Sequence, residues 1–349
     1  MSVTRHRLFW PAAVLVALLV LNVFFTGSFF TVELRDGHLY GSLVDVARSS
    51  APLALVALGM TLVIATGGID LSVGAVVAIS GAIACLSISH LPDQGSVAGV
   101  LVAVGLAIVL SLLLGAWNGV LVAAVGIQPI IATLILMVAG RGLAQLITGG
   151  QIITLTSGPY KMIGAGYWLG LPLSVLVAAA VIATVATLVR RSALGLLLES
   201  VGGNAEASRL AGIRARWLLF ASYAFGGLCA GLAGLMISSN VSSADGNHAG
   251  LLIELDAILA TVIGGTSLSG GRFSIAGTVL GAVIIETLDI TIYTIGIPNQ
   301  VTELFKAVVV IVLCLVQSPA FRARLGSPRR RRRVTPARST PTENVEVPA

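Results

Sequence analysis

One carboxylate stands between two apolar runs. The stretch from Gly59 to Gly81 joins two segments, each long enough to be part of a membrane span, through Gly67-Gly68-Ile69-Asp70-Leu71-Ser72-Val73-Gly74. The joint holds Asp70 and no cation. A carboxylate inside lipid costs about 2.5–3.5 kcal/mol on insertion scales unless water or a partner reaches it. Polar, Gly-rich backbone at membrane depth lines a cavity or sits at a membrane face. The chemistry this points to is the passage of a polar solute. Asp70 has two roles open to it: lining or gating a polar path, or capping a helix that starts near Leu71 by accepting a backbone N–H. Pairing with Arg141 across the bundle is a further option.

Arg141, in Met137-Val138-Ala139-Gly140-Arg141-Gly142, sits well inside an apolar run. An intramembrane guanidinium must face protein or water. It suits sugar hydroxyls as well as a carboxylate partner. Asn118, Gln128, Thr133, Gln145, Glu254, Asp256 and Asp289 are the other polar groups in or near such runs. Neutral amides both give and accept hydrogen bonds, which fits a hydroxyl-rich ligand; interhelical bonding would use the same groups. The candidate substrate path is Asn118, Gln128, Thr133, Arg141 and Asp70. Glu254 and Asp256 fall near an outer end and are expected to face an external partner.

The elements that must position these groups are helices in lipid. Of 349 residues, 56% are hydrophobic and 10% charged, with mean hydropathy +0.98. An ordinary soluble domain carries about 25% charged residues. The apolar runs are too long for the alternating ~10-residue strands of a membrane barrel. The fold class is an all-α polytopic membrane protein. Ten spans are expected, near 8–29, 50–66, 71–90, 97–124, 129–148, 173–189, 217–239, 249–265, 274–296 and 301–317. The positive-inside rule puts both termini in the cytoplasm. Arg5, Arg7, Arg190, Arg191, Arg209, Arg214, Arg216, Arg272 and the tail then lie inside, and only Arg35, Arg48 and Lys161 outside.

The formal charge of +6 belongs to the tail: residues 318–349 carry eight Arg and two Glu, and the rest is neutral. Two domains follow, a permease-like membrane domain over 1–317 and an Arg-rich, disordered cytoplasmic tail over 318–349. The basic pI therefore does not point to nucleic acid. The Arg329–Arg333 run either binds anionic lipid or only reinforces the topology. Cys85, Cys229 and Cys314 lie in apolar runs and read as packing residues. The N-terminal run lacks a small-x-small cleavage site and reads as an uncleaved first span.

Small residues recur at four-residue spacing in Ser111/Gly115/Gly119, Gly227/Gly231, Ala230/Gly234 and Gly277/Gly281, a spacing that lets helices approach closely. The joint Gly67–Gly74 also has an echo in Gly264–Gly271, with five identities in eight positions. An internal duplication would explain it, and so would chance.

The longest cytoplasmic connection is 190–216. Within it Asn204 follows Gly202-Gly203 as an N-cap. Glu206 suits the positive end of a helix and Arg209 its last turn, and Gly212 is placed as the residue just past the end. A helix of two turns is not stable alone. Gly203, Asn204, Glu206, Arg209 and Gly212 therefore read as a docking loop for another protein, with an ordinary connector as the other reading. No Walker A sequence, HExxH or metal-ligand cluster is present. Any nucleotide must be bound by another chain.

Gly59-Met60-Thr61-Leu62-Val63-Ile64-Ala65-Thr66-Gly67-Gly68-Ile69-Asp70-Leu71-Ser72-Val73-Gly74 resembles the signature of permease subunits of bacterial ABC sugar importers of the ribose/galactose type. Ile127-Gln128-Pro129-Ile130-Ile131-Ala132-Thr133-Leu134 resembles that family's I-x-P-F-I-x-T-L region, with Ile130 in place of Phe. Val201 to Ile213 is similar to its cytoplasmic ATPase-contacting loop, and Gly264 to Arg272 to its second Gly-rich motif. Ala132 to Gly142 and Glu254 to Ala260 bring it nearest the galactofuranose type. The resemblance covers residues 8–317.

The resemblance implies a binding-protein-dependent importer in a bacterial inner membrane. A periplasmic or lipid-anchored sugar-binding protein would deliver the sugar. A cytoplasmic ABC ATPase would bind ATP, with no cofactor in this chain. A second permease subunit, non-identical in the galactofuranose type, would complete the pore. Transport would run by alternating access driven through Asn204 to Arg209. An ion-coupled secondary transporter using Asp70 as an ion site is the alternative. A membrane-embedded enzyme using Asp70, Glu254 or Asp256 as acid or base is a third reading, weakened by the absence of any nucleophile, metal or cofactor constellation.

Overall fold

The computed structural model describes residues 8–25, 29–35, 37–296, 301, 304, 306–308, 310 and 311. The Arg-rich tail, Cys314 and most of the expected span 301–317 lie outside them. The helices are α1 (Phe9–Phe25), α2 (Ser42–Ala65), α3 (Val73–Ser89), α4 (Val97–Val120), α5 (Pro129–Thr148), α6 (Gly158–Ala165), α7 (Leu173–Arg191), α8 (Leu194–Gly203), α9 (Ala205–Leu210), α10 (Ala215–Asn240), α11 (Ile253–Ile263) and α12 (Ile275–Ile295). Three two-stranded antiparallel ladders join the loops: β1 (Glu33–Arg35) with β2 (His38–Tyr40), β3 (Ile153–Thr154) with β6 (Ser243–Ala244), and β4 (Tyr167–Trp168) with β5 (Leu171–Pro172).

Each of the first nine expected spans carries a helix. Among the described residues six are long and apolar enough to cross a membrane: α2, α4 with its π-helical continuation to Val125, α5, α7, α10 and α12. The chain is therefore a multi-pass membrane protein. The expected bounds shift in two places. The helix expected from residue 50 begins at Ser42, so α2 runs 24 residues. The expected span 249–265 is an 11-residue half-helix, α11, entered from Leu252 in a left-handed conformation (φ 64°). The Gly67–Gly74 joint separates two helices, since α2 stops at Ala65 and α3 starts at Val73.

The bundle is built around α2 and α10. From Leu55 to Met60 every side chain of α2 is buried, and α10 packs on α2, α3 and α4. Close approach follows from glycine. A Cβ on Gly59 of α2 would sit 2.9 Å from Gly226 Cα of α10, and one on Gly115 of α4 would sit 2.8 Å from Gly227 Cα. The spaced small residues of the sequence thus serve packing within this chain. α4, α5 and α7 turn Leu101, Leu106, Leu113, Ile135, Val138 and Leu188 outwards; in water this surface would be an aggregation hazard, and in lipid it is solvated.

The seam of α11 on α12 is also tight. A Cβ on Gly277 would run into the Gly264 carbonyl. Gly277→Ala is expected to lower stability by about 1–3 kcal/mol through overpacking, read as thermal unfolding in detergent. Gly142→Ala, where a Cβ meets nothing within 4 Å, serves as the neutral control.

The loops gather at two faces. On one, the ladders cross-link: Leu39 N–H donates to Gly170 O, and Thr156 N–H to Gln94 Oε1. The other carries Arg190, Arg191, Arg209, Arg214, Arg216 and Arg272. There the two Gly-rich joints meet, as Gly271 N–H donates to Ala65 O at 2.9 Å.

The echo between the joints has a local cause. Gly67 (φ 86°) donates to Ile64 O and Gly68 to Val63 O, closing α2. Gly265 (φ 86°) donates to Val262 O and Thr266 to Thr261 O, closing α11. Both are left-handed glycine stops with the same hydrogen-bond pattern. They match Gly67 to Gly265, one residue out of register with the five-identity alignment. Helix-end chemistry accounts for the shared glycine stop.

Candidate functional site

Residues between the two faces form two linked polar clusters. The lower one, towards the arginine-rich face, surrounds the start of α3. Asp70 Oδ1 accepts from Ser72 N–H at 2.9 Å and from Ser72 Oγ–H at 2.6 Å. Ser72 Oγ in turn accepts from Asn118 Nδ2 of α4 at 2.8 Å. Thr133 Oγ donates to Ile69 O at 3.3 Å and to Pro129 O at 3.0 Å. Asp70, Ser72, Asn118 and Thr133 are all buried. Tyr223 of α10 completes the cluster, its hydroxyl lying where a Cβ on Gly68 would go. Three candidate path residues are thereby brought together, and Asp70 caps the turn leading into α3.

The upper cluster surrounds Arg141. Its Nη1 donates to Ala249 O at 2.6 Å and its Nη2 to Gly250 O at 3.4 Å. These carbonyls belong to the segment 245–252, which leads into α11. Gly74 in the first turn of α3 packs against Glu254 Oε2 in the first turn of α11 and against Gly250 O. The N-termini of α3 and α11 therefore converge at one point. Both contribute positive dipole ends, and Glu254 supplies the negative charge between them. A cavity of about 230 Å³ adjoins this cluster, lined by Val77, Gly81, Gly234, Asp245, His248 and Ala249 among others. At its rim the Asp245 carboxyl is pushed up by burial, but N–H donors of Asn247 and His248 outweigh this and hold it below its usual range.

Three expectations are corrected. Arg141 does not pair with Asp70; backbone carbonyls take its guanidinium. Gln128 is exposed at the N-terminus of α5, about 20 Å along that helix from Arg141, so it does not share Arg141's cluster. Glu254 does not face outwards. It is buried, because α11 is a half-helix that starts level with Arg141 rather than at the surface. Asp256 points the other way, to Lys306 at 3.1 Å.

Tyr223 Oη, Asn118 Oδ1 and Glu254 Oε2 are buried without a hydrogen-bond partner among the described residues. Such atoms mark places where water or a solute completes the network. Sequence reasoning passed over Tyr223, since a tyrosine in an apolar run carries no signal by itself. It also passed over Glu286 and Lys306, charged residues inside expected spans, which was a usable signal.

The docking loop is assembled as its residue types require. Asn204 Oδ1 accepts from Ala207 N–H at 2.9 Å, opening α9. Glu206 and Arg209 pair at 2.6 Å on its exposed side. That pairing holds the Glu206 carboxyl below its ordinary range. Gly212 (φ 84°) ends the helix, with Ile213 N–H returning to Ser208 O. The new element is α8, ending at Gly203. At Gly202 a Cβ would strike Ala65 O and lie 2.4 Å from Gly271 N. The end of α8, just before the 203–212 loop, thus packs where the two Gly-rich joints meet.

Discontinuous helices meeting inside a membrane bundle, with Arg141 and Glu254 near their N-termini, fit a membrane permease. The chain belongs to the permease-component family described for branched-chain amino acid transport systems, whose family model matches residues 42–316. It is 46% identical to the galactofuranose transporter permease protein of Escherichia coli, over 91% of this chain and 93% of that one. It is 41% identical to the fructose import permease protein of Bifidobacterium longum, over 90% and 88% of the two chains. It is 36% identical to the ribose import permease protein of Escherichia coli, over 87% and 92%. No solved structure matches.

Proposed function

We propose that this chain is the permease subunit of an ATP-binding-cassette importer that carries a monosaccharide of the galactofuranose, galactose or ribose type across a bacterial inner membrane. The observation that carries the reading is the packing of Gly202, near the end of α8, against Ala65 O and Gly271 N, where the two Gly-rich joints meet. A push on α9 reaches the end of α2 and the 264–271 joint through α8 and Gly202. The sugar class rests on the named substrates of the three relatives.

In this reading the arginine-rich face is cytoplasmic, both termini lie inside, and residues 301–317 supply the tenth span of a domain over 1–317. The tail 318–349 is a cytoplasmic appendage. ATP binds to a partner ATPase and this chain holds no cofactor. A binding protein docks on the opposite face, and a second permease, identical or not, completes the pore. The sugar passes Arg141, Glu254 and the orphan atoms of Asn118 and Tyr223, with Asp70 and Thr133 shaping the lower end and Gln128 at its exit. Beside α9 a groove of about 1080 Å³, lined by Glu206, Arg209, Trp217 and Phe220 among others, is the seat for the ATPase.

The Glu206–Arg209 pair is exposed and contributes little to stability, so its replacement reads docking rather than folding. The double variant Glu206→Ala/Arg209→Ala is expected to insert normally, hydrolyse ATP in complex, and lose sugar uptake. Unchanged uptake would remove the docking role. Uptake that survives ATP depletion and collapses with the proton gradient would favour ion-coupled transport instead. The sugar itself is identified by what co-purifies with the binding protein.

A further inference from the structure

A second cavity, of about 230 Å³, opens on the hairpin face between α2, α6, α7, α10, α11 and α12. It lies across α10 and α11 from the Arg141 cluster and shares only Ile237 and Val241 with the cavity there. Its polar lining is Arg48, Ser49, Ser174, Asn240 and Glu286. Apolar side chains of α2, α10 and α11 make up most of the rest.

Two of its polar groups are conspicuous. Ser174 is 1% exposed, and its hydroxyl has no hydrogen-bond partner among the described residues. Arg48 is held from behind, its guanidinium bonded to the Tyr167 hydroxyl and its Cζ 4.9 Å from the Tyr167 ring centroid. Its Nε is buried and has no partner among the described residues. A guanidinium N–H and a serine hydroxyl are therefore fixed and unspent on the walls of a cavity whose floor carries a carboxylate.

Simple ions fit poorly. Arg48 opposes a metal cation, and phosphate would find one guanidinium and no second cation among the lining residues. What fits is a neutral solute with many hydroxyls, each able to accept from Arg48 or Ser174 and to donate to Glu286. The volume equals about eight waters at ~30 Å³ each and falls below the ~300 Å³ lower bound of drug-sized sites. It suits a monosaccharide. We infer that this cavity is an external monosaccharide subsite beside the central path, with Arg48, Ser174 and Glu286 as its hydrogen-bonding groups. The inference rests on the transport reading for its ligand class.

The test uses the intact importer in proteoliposomes, without binding protein. Ser49 is exposed at the mouth. Ser49→Cys with Cys314→Ala is labelled by an impermeant maleimide, the buried Cys85 and Cys229 giving little background. D-Galactose, D-fructose or D-ribose is expected to slow the labelling in a saturable way, and glycine betaine at equal osmolality to leave it unchanged. Glu286→Gln is expected to raise the half-protecting sugar concentration several-fold, as for a lost hydrogen bond. Ser174→Ala, a milder change that keeps the fold if Glu286→Gln does not, is expected to raise it several-fold.

Protection by none of the three sugars, equal protection by glycine betaine, or protection indifferent to both substitutions overturns the subsite and leaves a water-filled cavity. Uptake is measured on the same vesicles after adding the binding protein. Uptake without protection overturns the subsite alone. Absence of uptake counts against the transport reading, and protection then decides the subsite by itself.

Discussion

Lys306→Met is expected to lower the stability of the chain by about 3–5 kcal/mol, the cost of removing one partner from a buried ion cluster. Lys306 Nζ lies 3.1 Å from both Asp256 carboxylate oxygens and 2.9 Å from Asp289 Oδ2. The ammonium side chain is 7% exposed, so solvent does little to replace it. The cluster ties α11 and α12 to the last described helical residues, adding to the packing of the 11-residue α11 on α2 and α12. Without the lysine, two partly buried carboxylates on neighbouring helices repel. Neutralising them as well, with Asp256→Asn and Asp289→Asn in the Lys306→Met background, is expected to recover much of the loss, because apolar or neutral replacements of whole buried clusters are well tolerated. Thermal unfolding of the purified chain in detergent measures both. A single variant within about 1 kcal/mol of the parent, the size of an ordinary surface substitution, would show that the cluster does not hold α11.

Arg141→Ala is expected to reduce sugar uptake about 100-fold, from the ~3 kcal/mol typical of truncating one member of a desolvated charged contact. The substitution strips donors from Ala249 O and Gly250 O and leaves Glu254 without its neighbouring cation. The segment 245–252 would lose the clamp that sets the start of α11. Arg141→Lys retains the charge but not the forked geometry that spans two carbonyls, so it is expected to fall between the alanine variant and the parent. The readout is initial uptake by the complete importer at matched membrane abundance. Wild-type uptake in Arg141→Ala would take the upper cluster out of the path.

The geometry of the 203–212 loop was legible because its chemistry is local. An asparagine cap, an acid one turn before a base, and a glycine at the helix end act over three or four residues. Asp70 was legible as an acceptor for a nearby backbone N–H, but it bonds the turn at Ser72 and does not cap α3, which starts at Val73. Glu254 was misread because hydropathy sees 249–265 as one apolar run. Whether such a run crosses the membrane or starts halfway depends on what its first turn meets, here Gly74 and Gly250 from distant parts of the chain. Lys306 carried a signal that went unused, a lone cation in an apolar run.

By itself the sequence determined that this chain lives in lipid and how the turn after Gly203 is capped, since composition and helix-end chemistry are properties of short windows. Its Gly-rich joint at Asp70 also marked the family. Only the tertiary structure decided that the two Gly-rich joints touch, that Gly202 rests on both, and that Arg141 meets a half-helix bearing Glu254. Those contacts join residues far apart in the chain, and no local pattern encodes which distant glycine leaves room for which carbonyl.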